Sequence, residues 1–275
     1  MSKLLVKPTS PDADGRVLRV TPESAGWGHV GFEVFNLKQG QNLTQLTGAD
    51  EVCLVILTGR LNASTGDYRW ENIGQRMDVF EQVPPYAVYV PNGQDWSVEC
   101  LTDVELAVCR APGAGNHEAR LIAPSKEKCS VRGQGTNTRF IHDILPETEP
   151  ADSLLVVEVY TPAGNWSSYP PHQHCVDNLP HESFLEETYY HRINPSQGFS
   201  LQRVYTDDRS LDETMAVEDG EVVMVPEGYH PVGAPHGYDV YYLNVMAGPK
   251  RVWKFKNDPT HEWILESAKR ASFCD

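Results

Sequence analysis

Apolar positions along this chain fall in short β-rich runs divided by frequent turn residues, and almost nowhere at the three-to-four spacing of a helix. Residues 31–37, 51–58, 60–64, 87–90, 96–101 and 104–110 are rich in β-branched and aromatic side chains, and turns of Gly, Pro, Asn and Asp separate them, so each predicts a strand. A strand over 120–123 comes next, then a loop over 132–139 that reads Arg-Gly-Gln-Gly-Thr-Asn-Thr-Arg. The pattern then begins again, with strands predicted over 154–161, 187–192, 199–205, 214–217, 221–225 and 238–245. Only 260–270 carries helical spacing, with Thr260 or Asp258 as cap and Trp263, Ile264 and Ala268 on one face.

Two successive sets of short strands predict an all-β chain made of two tandem barrels or sandwiches, divided as residues 1–145 and 146–275. The halves echo one another. Glu51 opens an apolar run as Glu187 does, and Pro91-Asn92-Gly93-Gln94-Asp95 resembles Pro226-Glu227-Gly228-Tyr229-His230 without the histidine. The first half also lacks a His-x-His, which predicts a copy that kept the barrel and binds no metal.

At 275 residues the chain can bury a sizeable core without disulfide staples. Its 23 basic and 38 acidic residues leave a net charge of −15, which argues against a sequence-independent grip on nucleic acid or on an anionic membrane. The first ten residues lack the apolar centre of a secretory signal, and no run approaches the roughly 20 apolar residues of a spanning helix, so a soluble, cytoplasmic protein is expected. A homo-oligomer is left open. Six cysteines without a C-x-x-C pair, mostly inside apolar runs, read as free buried thiols. Cys175, directly after the His-x-His, is the exception to watch as a nucleophile.

The chemistry concentrates in the second half, where six of the ten histidines fall between positions 172 and 236. In a strand His172 and His174 point the same way and can grip one ion together. The same parity places Glu187, Tyr189 and His191 on one face and Glu186, Thr188 and Tyr190 on the other; the polar and aromatic character of the first set makes Glu187 the expected ligand and Glu186 the weaker choice. His230 follows a strand closed by a Pro-x-Gly turn that re-aims the chain, making it a fourth ligand. Three imidazoles and one carboxylate suit one divalent transition metal per chain, Zn²⁺, Mn²⁺, Fe²⁺, Co²⁺ or Ni²⁺. His181, His191 and His236 are left as supporting, pocket or loop residues.

His-x-His, a strand glutamate and Gly-x5-Pro-x-Gly-x-His together resemble the cupin pattern. Twelve residues, Cys175 to Glu186, separate His174 from Glu187, which leaves Glu186 and Glu182 as alternative ligands. The runs Arg132 to Arg139, Tyr169-Pro170-Pro171-His172-Gln173-His174, Leu185 to Tyr190, Val225 to Pro231 and Tyr241 to Gly248 more narrowly resemble the 5-deoxy-glucuronate isomerases of bacterial myo-inositol catabolism. These are a bicupin family related to the 5-keto-4-deoxyuronate isomerases. The resemblance covers essentially the whole chain. It implies two cupin (jelly-roll) barrels, a metal on His172, His174, Glu187 and His230, and an internal redox of 5-deoxy-D-glucuronate to 2-deoxy-5-keto-D-gluconate.

Such an aldose–ketose shift moves a proton or a hydride between adjacent carbons and gains from a Lewis acid on the carbonyl. Tyr189 and His191, on the Glu187 face, and Tyr241 or Tyr242 are the candidate proton movers. The substrate of such a reaction is a sugar acid. Arg192, Arg203, Lys250 and Arg251 are the cations nearest the motifs; Arg203 is preferred for the carboxylate because Gln202 and Tyr205 share its strand, and Arg139 and His142 are assigned to tying the barrels together. Another uronate or sugar isomerase, a metal-dependent dioxygenase on the same scaffold and a non-catalytic sugar-binding bicupin remain the rival expectations.

Overall fold

A computed structural model describes residues 2–267. The short apolar runs become two equivalent sets of antiparallel strands. In the first, Arg120–Ile122, Ala87–Val90, Asp50–Thr58, Val104–Pro112, Gly31–Leu37 and Arg16–Val20 form a six-stranded sheet in that order. In the second, the order is Leu5–Val6, Val222–Val225, Glu186–Asn194, Asp239–Ala247, Leu155–Thr161, Arg139–Leu145 and Cys129–Arg132. A four-stranded sheet accompanies each large one: Asn42–Leu46, Asp95–Cys100, Leu61–Thr65 and Tyr68–Ile73 in the first set, Trp166–Ser167, Val232–Gly233, Phe199–Tyr205 and Asp212–Glu218 in the second. These are two tandem cupin barrels.

Period-two alternation gives each large sheet two apolar faces with different destinations. One face fills its own barrel: Leu54, Ile56, Trp96 and Val98 in the first, Tyr189, Val223, Val225 and Tyr242 in the second. The opposite faces meet, with Phe32, Cys53 and Ala107 packing in one core with Tyr190, Tyr241 and Leu243. Burying both faces explains why these strands read as near-continuous apolar runs.

The division of the chain differs from the expected break at 145. Cys129–Arg132 and Arg139–Leu145 pair into the second barrel's sheet, so the change of barrel falls between Ile122 and Cys129. The strand that precedes each barrel also pairs into the other set's neighbourhood in sequence: Leu5–Val6 joins Val222–Val225 of the second sheet, and Arg120–Ile122 stays with Ala87–Val90 of the first. Each barrel is thereby finished by the segment that leads into its partner.

Two glutamates repeat this reciprocity. Glu51 accepts the backbone N–H groups of Asp152, Ser153 and Leu154 at 2.7, 2.6 and 2.5 Å. Glu186 accepts those of Gly28, His29 and Val30 at 2.7, 2.7 and 3.0 Å. Both recipient segments lead directly into a large-sheet strand of the other barrel. The contact is completed by Arg76, whose buried guanidinium meets Glu158 at 2.9 and 2.8 Å; His142 and Tyr241 hold the same carboxylate at 2.7 and 2.9 Å.

Of the expected helix over 260–270, a short helix Ile264–Ser267 is described, and its continuation through Ala268 to Arg270 lies outside the described residues. Ile264 is buried while Trp263 is exposed, so the two do not share one packed face. No helix among the described residues is long and apolar enough to cross a membrane.

Candidate metal centre

Strand parity decides which glutamate enters the second barrel. On Glu186–Asn194 the side chains of Glu187, Tyr189, His191 and Ile193 turn inward, while Glu186, Tyr190 and Arg192 face the first barrel. Glu187 pairs in register with Val225, five residues before His230. Gly228 makes the intervening turn possible: its φ is +87°, and a Cβ there would lie 2.4 Å from the Tyr205 carbonyl oxygen. Mutual backbone bonds between Tyr229 and Tyr205, at 2.8 and 2.9 Å, then fix the direction in which His230 leaves the turn.

His174, Glu187 and His230 are all buried, and their donor atoms lie within 4.8 Å of one another. Glu187 Oε2 is 3.0 Å from Nε2 of His174 and 3.3 Å from Nε2 of His230. Each histidine is oriented from behind: Nδ1–H of His174 donates to the Leu185 carbonyl at 2.9 Å and Nδ1–H of His230 to the Gly228 carbonyl at 2.8 Å. Fixing Nδ1 as donor leaves the Nε2 lone pair for a cation. His230 Nε2 is buried without a hydrogen-bond partner, as an imidazole aimed at a metal would be. Burial holds His230 down to about 3 and therefore neutral. Burial also lowers His174, but the Glu187 carboxylate outweighs it and raises that imidazole, marking the place between them as one that favours positive charge. The donor set fits a divalent transition metal.

His172 stands at the edge of this trio. Its ring lies 4.9 Å from that of His230 and 6.5 Å from that of His174, and burial, with His174 and Arg139 nearby, lowers it to about 3. It also lines a cavity of about 840 Å³ together with Arg139, Tyr169, Phe255 and Asn257, so it separates the buried trio from the space a ligand would enter. The long segment after His174 folds back as a compact loop. Glu182 accepts the N–H of Cys175 and Val176 at 2.8 and 3.2 Å, and Leu185 N–H returns to the His174 carbonyl at 2.9 Å. Glu182 and Glu186 are thus both engaged with backbone away from the trio. Burial raises the Cys175 thiol to about 11, the wrong direction for a nucleophile.

Tyr189 and Tyr242 face the barrel interior with ring centroids 4.9 Å apart, and the Tyr189 ring is 5.7 Å from that of His230. The Tyr189 hydroxyl is 3.0 Å from Ser168 Oγ. Burial raises both phenols, which keeps them protonated donors at neutral pH. Tyr241, one residue before Tyr242, faces the other way and donates to Glu158.

Several expected roles change. His191 is buried with both nitrogens occupied, Nε2–H donating to Gln202 Oε1 at 2.9 Å and Nδ1 accepting from Ser200 at 3.1 Å, so it has no free lone pair for a base. Gln202 supports His191 through Oε1 and does not line the cavity that holds His172 and Arg139. Arg203 points out of the barrel into a two-bond pair with Asp212 at 2.8 and 2.7 Å. Arg192 is paired with Glu105 and Asp219 on the face toward the first barrel. Lys250 is bound to Asp177, and Arg251 donates to the carbonyls of Leu154, Glu149 and Pro146. His142 holds Glu158 within the second barrel, and it is Arg76 of the first barrel that crosses to that carboxylate; Arg139 stands in the cavity wall instead. The arginines at both ends of the glycine-rich loop 132–139 were the sequence signal for that position.

In the first barrel, register matches Glu51 with Glu186 rather than with Glu187, since Glu51 pairs with Ala111 as Glu186 pairs with Ala247. The positions equivalent to Glu187, Tyr189 and His191 are then Val52, Leu54 and Ile56, all in a dry core with Trp96.

The chain matches the KduI/IolB family over residues 4–264. It is 64% identical over 267 residues to the 5-deoxy-glucuronate isomerase of Geobacillus thermodenitrificans, covering 97% of each chain. Against the 5-deoxy-glucuronate isomerase of Bacillus subtilis it is 50% identical over 270 residues, covering 97% of this chain and 100% of the other. The crystal structure of an IolB-like protein from Salmonella typhimurium is similar with a TM-score of 0.91 and 51% identity, over 96% of this chain and 99% of that one. Oxalate decarboxylase of Lactobacillus farciminis, with a TM-score of 0.65, 12% identity and coverage of 94% and 89%, shares the fold.

Proposed function

The chain belongs to the KduI/IolB family, and from that premise we propose that it isomerises 5-deoxy-D-glucuronate to 2-deoxy-5-keto-D-gluconate with one divalent transition metal per chain, held by His174, Glu187, His230 and His172. The observation that carries this proposal is the buried His174–Glu187–His230 trio, with its unpartnered Nε2, behind a cavity large enough for a six-carbon sugar acid.

When bound, the metal supplies Lewis-acid polarisation of the aldehyde and the neighbouring hydroxyl. Everything else falls to the chain. The reaction is internally balanced: the aldehyde carbon gains hydrogen as its neighbour loses it, and no external oxidant or reductant is consumed. Tyr189 and Tyr242, kept protonated by burial, serve as donors to oxygen atoms on which negative charge develops. Ser168, 3.0 Å from the Tyr189 hydroxyl, fixes its direction and can return a proton to it. The Gln202–His191–Ser200 chain keeps the wall behind Tyr189 rigid.

The test is turnover of 5-deoxy-D-glucuronate with no added NAD, ATP or O₂, followed by chelation and readdition of Mn²⁺ or Zn²⁺. Activity should disappear and return. Unchanged turnover in thoroughly demetallated protein refutes the metal's role, and no turnover by the metal-loaded protein refutes the substrate. Running the reaction in deuterated water separates the two chemical routes: solvent deuterium on the former aldehyde carbon, now the hydroxymethyl group beside the new ketone, indicates proton transfer, and its complete absence favours hydride transfer.

A further inference from the structure

We propose that Arg139 binds the carboxylate of the sugar-acid substrate, holding the far end of the molecule while its aldehyde end reaches the His174–Glu187–His230 centre. This assignment rests on the isomerase function proposed above and adds the group that selects an acid over a neutral sugar.

Arg139 opens the strand Arg139–Leu145, and by parity it shares a face with Ile141, which packs into the second barrel's interior, while His142 takes the opposite face toward Glu158. It lines the same cavity as His172. Among the described residues it donates to the carbonyl of Asn137 at 3.0 Å, and no carboxylate pairs with it. The other cations near the motifs are already occupied: Arg203 by Asp212, Arg192 by Glu105 and Asp219, Lys250 by Asp177, and Arg251 by the carbonyls of Leu154, Glu149 and Pro146. A half-buried guanidinium that faces a cavity and lacks a counter-charge is placed to receive an anion there. Burial indeed lowers Arg139, with Arg132 adding to the effect, and its charge extends to His172 and Tyr242 on the metal side of the cavity.

The loop is shaped around this side chain. Gly133 has φ of +79°, and a Cβ there would sit 2.0 Å from the Asn137 carbonyl oxygen and 2.8 Å from Nη1 of Arg139. Glycine at 133 therefore lets the backbone close over the guanidinium and leaves the remaining donors of its planar fork for a carboxylate. In an acidic protein of net charge −15, such a local cation is also what draws a negatively charged substrate inward.

The experiment uses the full-length, metal-loaded protein and Arg139→Gln. With 5-deoxy-D-glucuronate the variant should lose about 100-fold in kcat/KM, mainly through KM, while metal content and melting temperature stay as in the wild type. Arg139→Lys should recover part of the loss, because it keeps the charge and loses the fork. With 5-deoxy-D-glucose, whose hydroxymethyl replaces the carboxylate, wild type and Arg139→Gln should be equally slow. Titration with D-gluconate, a sugar acid without an aldehyde, reads the same site independently of turnover and should weaken about 30-fold or more in Arg139→Gln. An unchanged KM together with unchanged gluconate affinity overturns the assignment while leaving the isomerase function standing. Gluconate binding that needs Arg139, in a wild-type protein that does not turn over 5-deoxy-D-glucuronate, would instead sink the isomerase function and uphold the anion site.

Discussion

Adjacent glutamates with opposite destinations make the sharpest prediction. Glu186→Ala removes the acceptor of three backbone N–H groups without touching the metal trio; Glu187→Ala removes a ligand without touching the barrel contact. Of the three donors orphaned at 186, that of buried Val30 has no route to water, whereas Gly28 and His29 are at least partly exposed. A buried unsatisfied donor costs about 1–3 kcal/mol, and each hydrated one roughly 0.5 kcal/mol, giving about 3 kcal/mol in all. For a chain of this size that corresponds to a fall in melting temperature of roughly 6–12 °C. Metal content should stay near wild type. Glu187→Ala should give the converse, a folded protein with strongly reduced metal, because two strands and their apolar neighbours hold the barrel without the ion. Calorimetry and elemental analysis on the two purified variants provide the assay. Loss of metal in Glu186→Ala with full retention in Glu187→Ala would refute the face assignment, and an unshifted melting temperature in Glu186→Ala would refute the role given to its three hydrogen bonds.

Arg76→Met should destabilise the protein by about 3–5 kcal/mol in urea titration, since it strands the buried Glu158 carboxylate. Burial alone would raise the Glu158 carboxyl, but Arg76 and His142 outweigh it and hold it below its ordinary value. A depressed folded pKa contributes stability that is complete above the unfolded value of about 4.3 and is lost as pH falls through the folded one; Glu158→Gln should accordingly flatten the acid limb of a stability–pH profile. Metal should saturate at one ion per chain in elemental analysis, because Val52, Leu54 and Ile56 occupy the first barrel's equivalent positions; two tightly bound ions would contradict this. Tyr189→Phe should retain metal and lose about 100-fold in kcat, read by parallel kinetics and metal analysis, and near-normal kcat would remove the Tyr189 hydroxyl from the chemistry.

Local pattern determined a good deal of this protein. Short β-branched and aromatic runs bounded by turn residues predict strands such as Gly31–Leu37, Ala87–Val90 and Phe199–Tyr205 at their observed bounds, because those side chains fit a pleated, buried surface. Parity put Glu187 inward beside Tyr189, and the Pro-x-Gly turn delivered His230. Strands such as Asn42–Leu46 and Tyr68–Ile73 carry no such signal in the sequence, since their exposed faces hold few apolar residues. What only the tertiary structure decided was pairing between residues distant in sequence. Arg203 and Arg192 were plausible carboxylate binders until Asp212, Glu105 and Asp219 claimed them, and His191 was a plausible base until Gln202 and Ser200 took both its nitrogens. The exchange of Leu5–Val6 into the second sheet and the reciprocal grips of Glu51 and Glu186 span over a hundred residues. Periodicity carries no information about which polar groups will meet across a fold, and a charge is free for chemistry only once its partners, or their absence, are known in three dimensions.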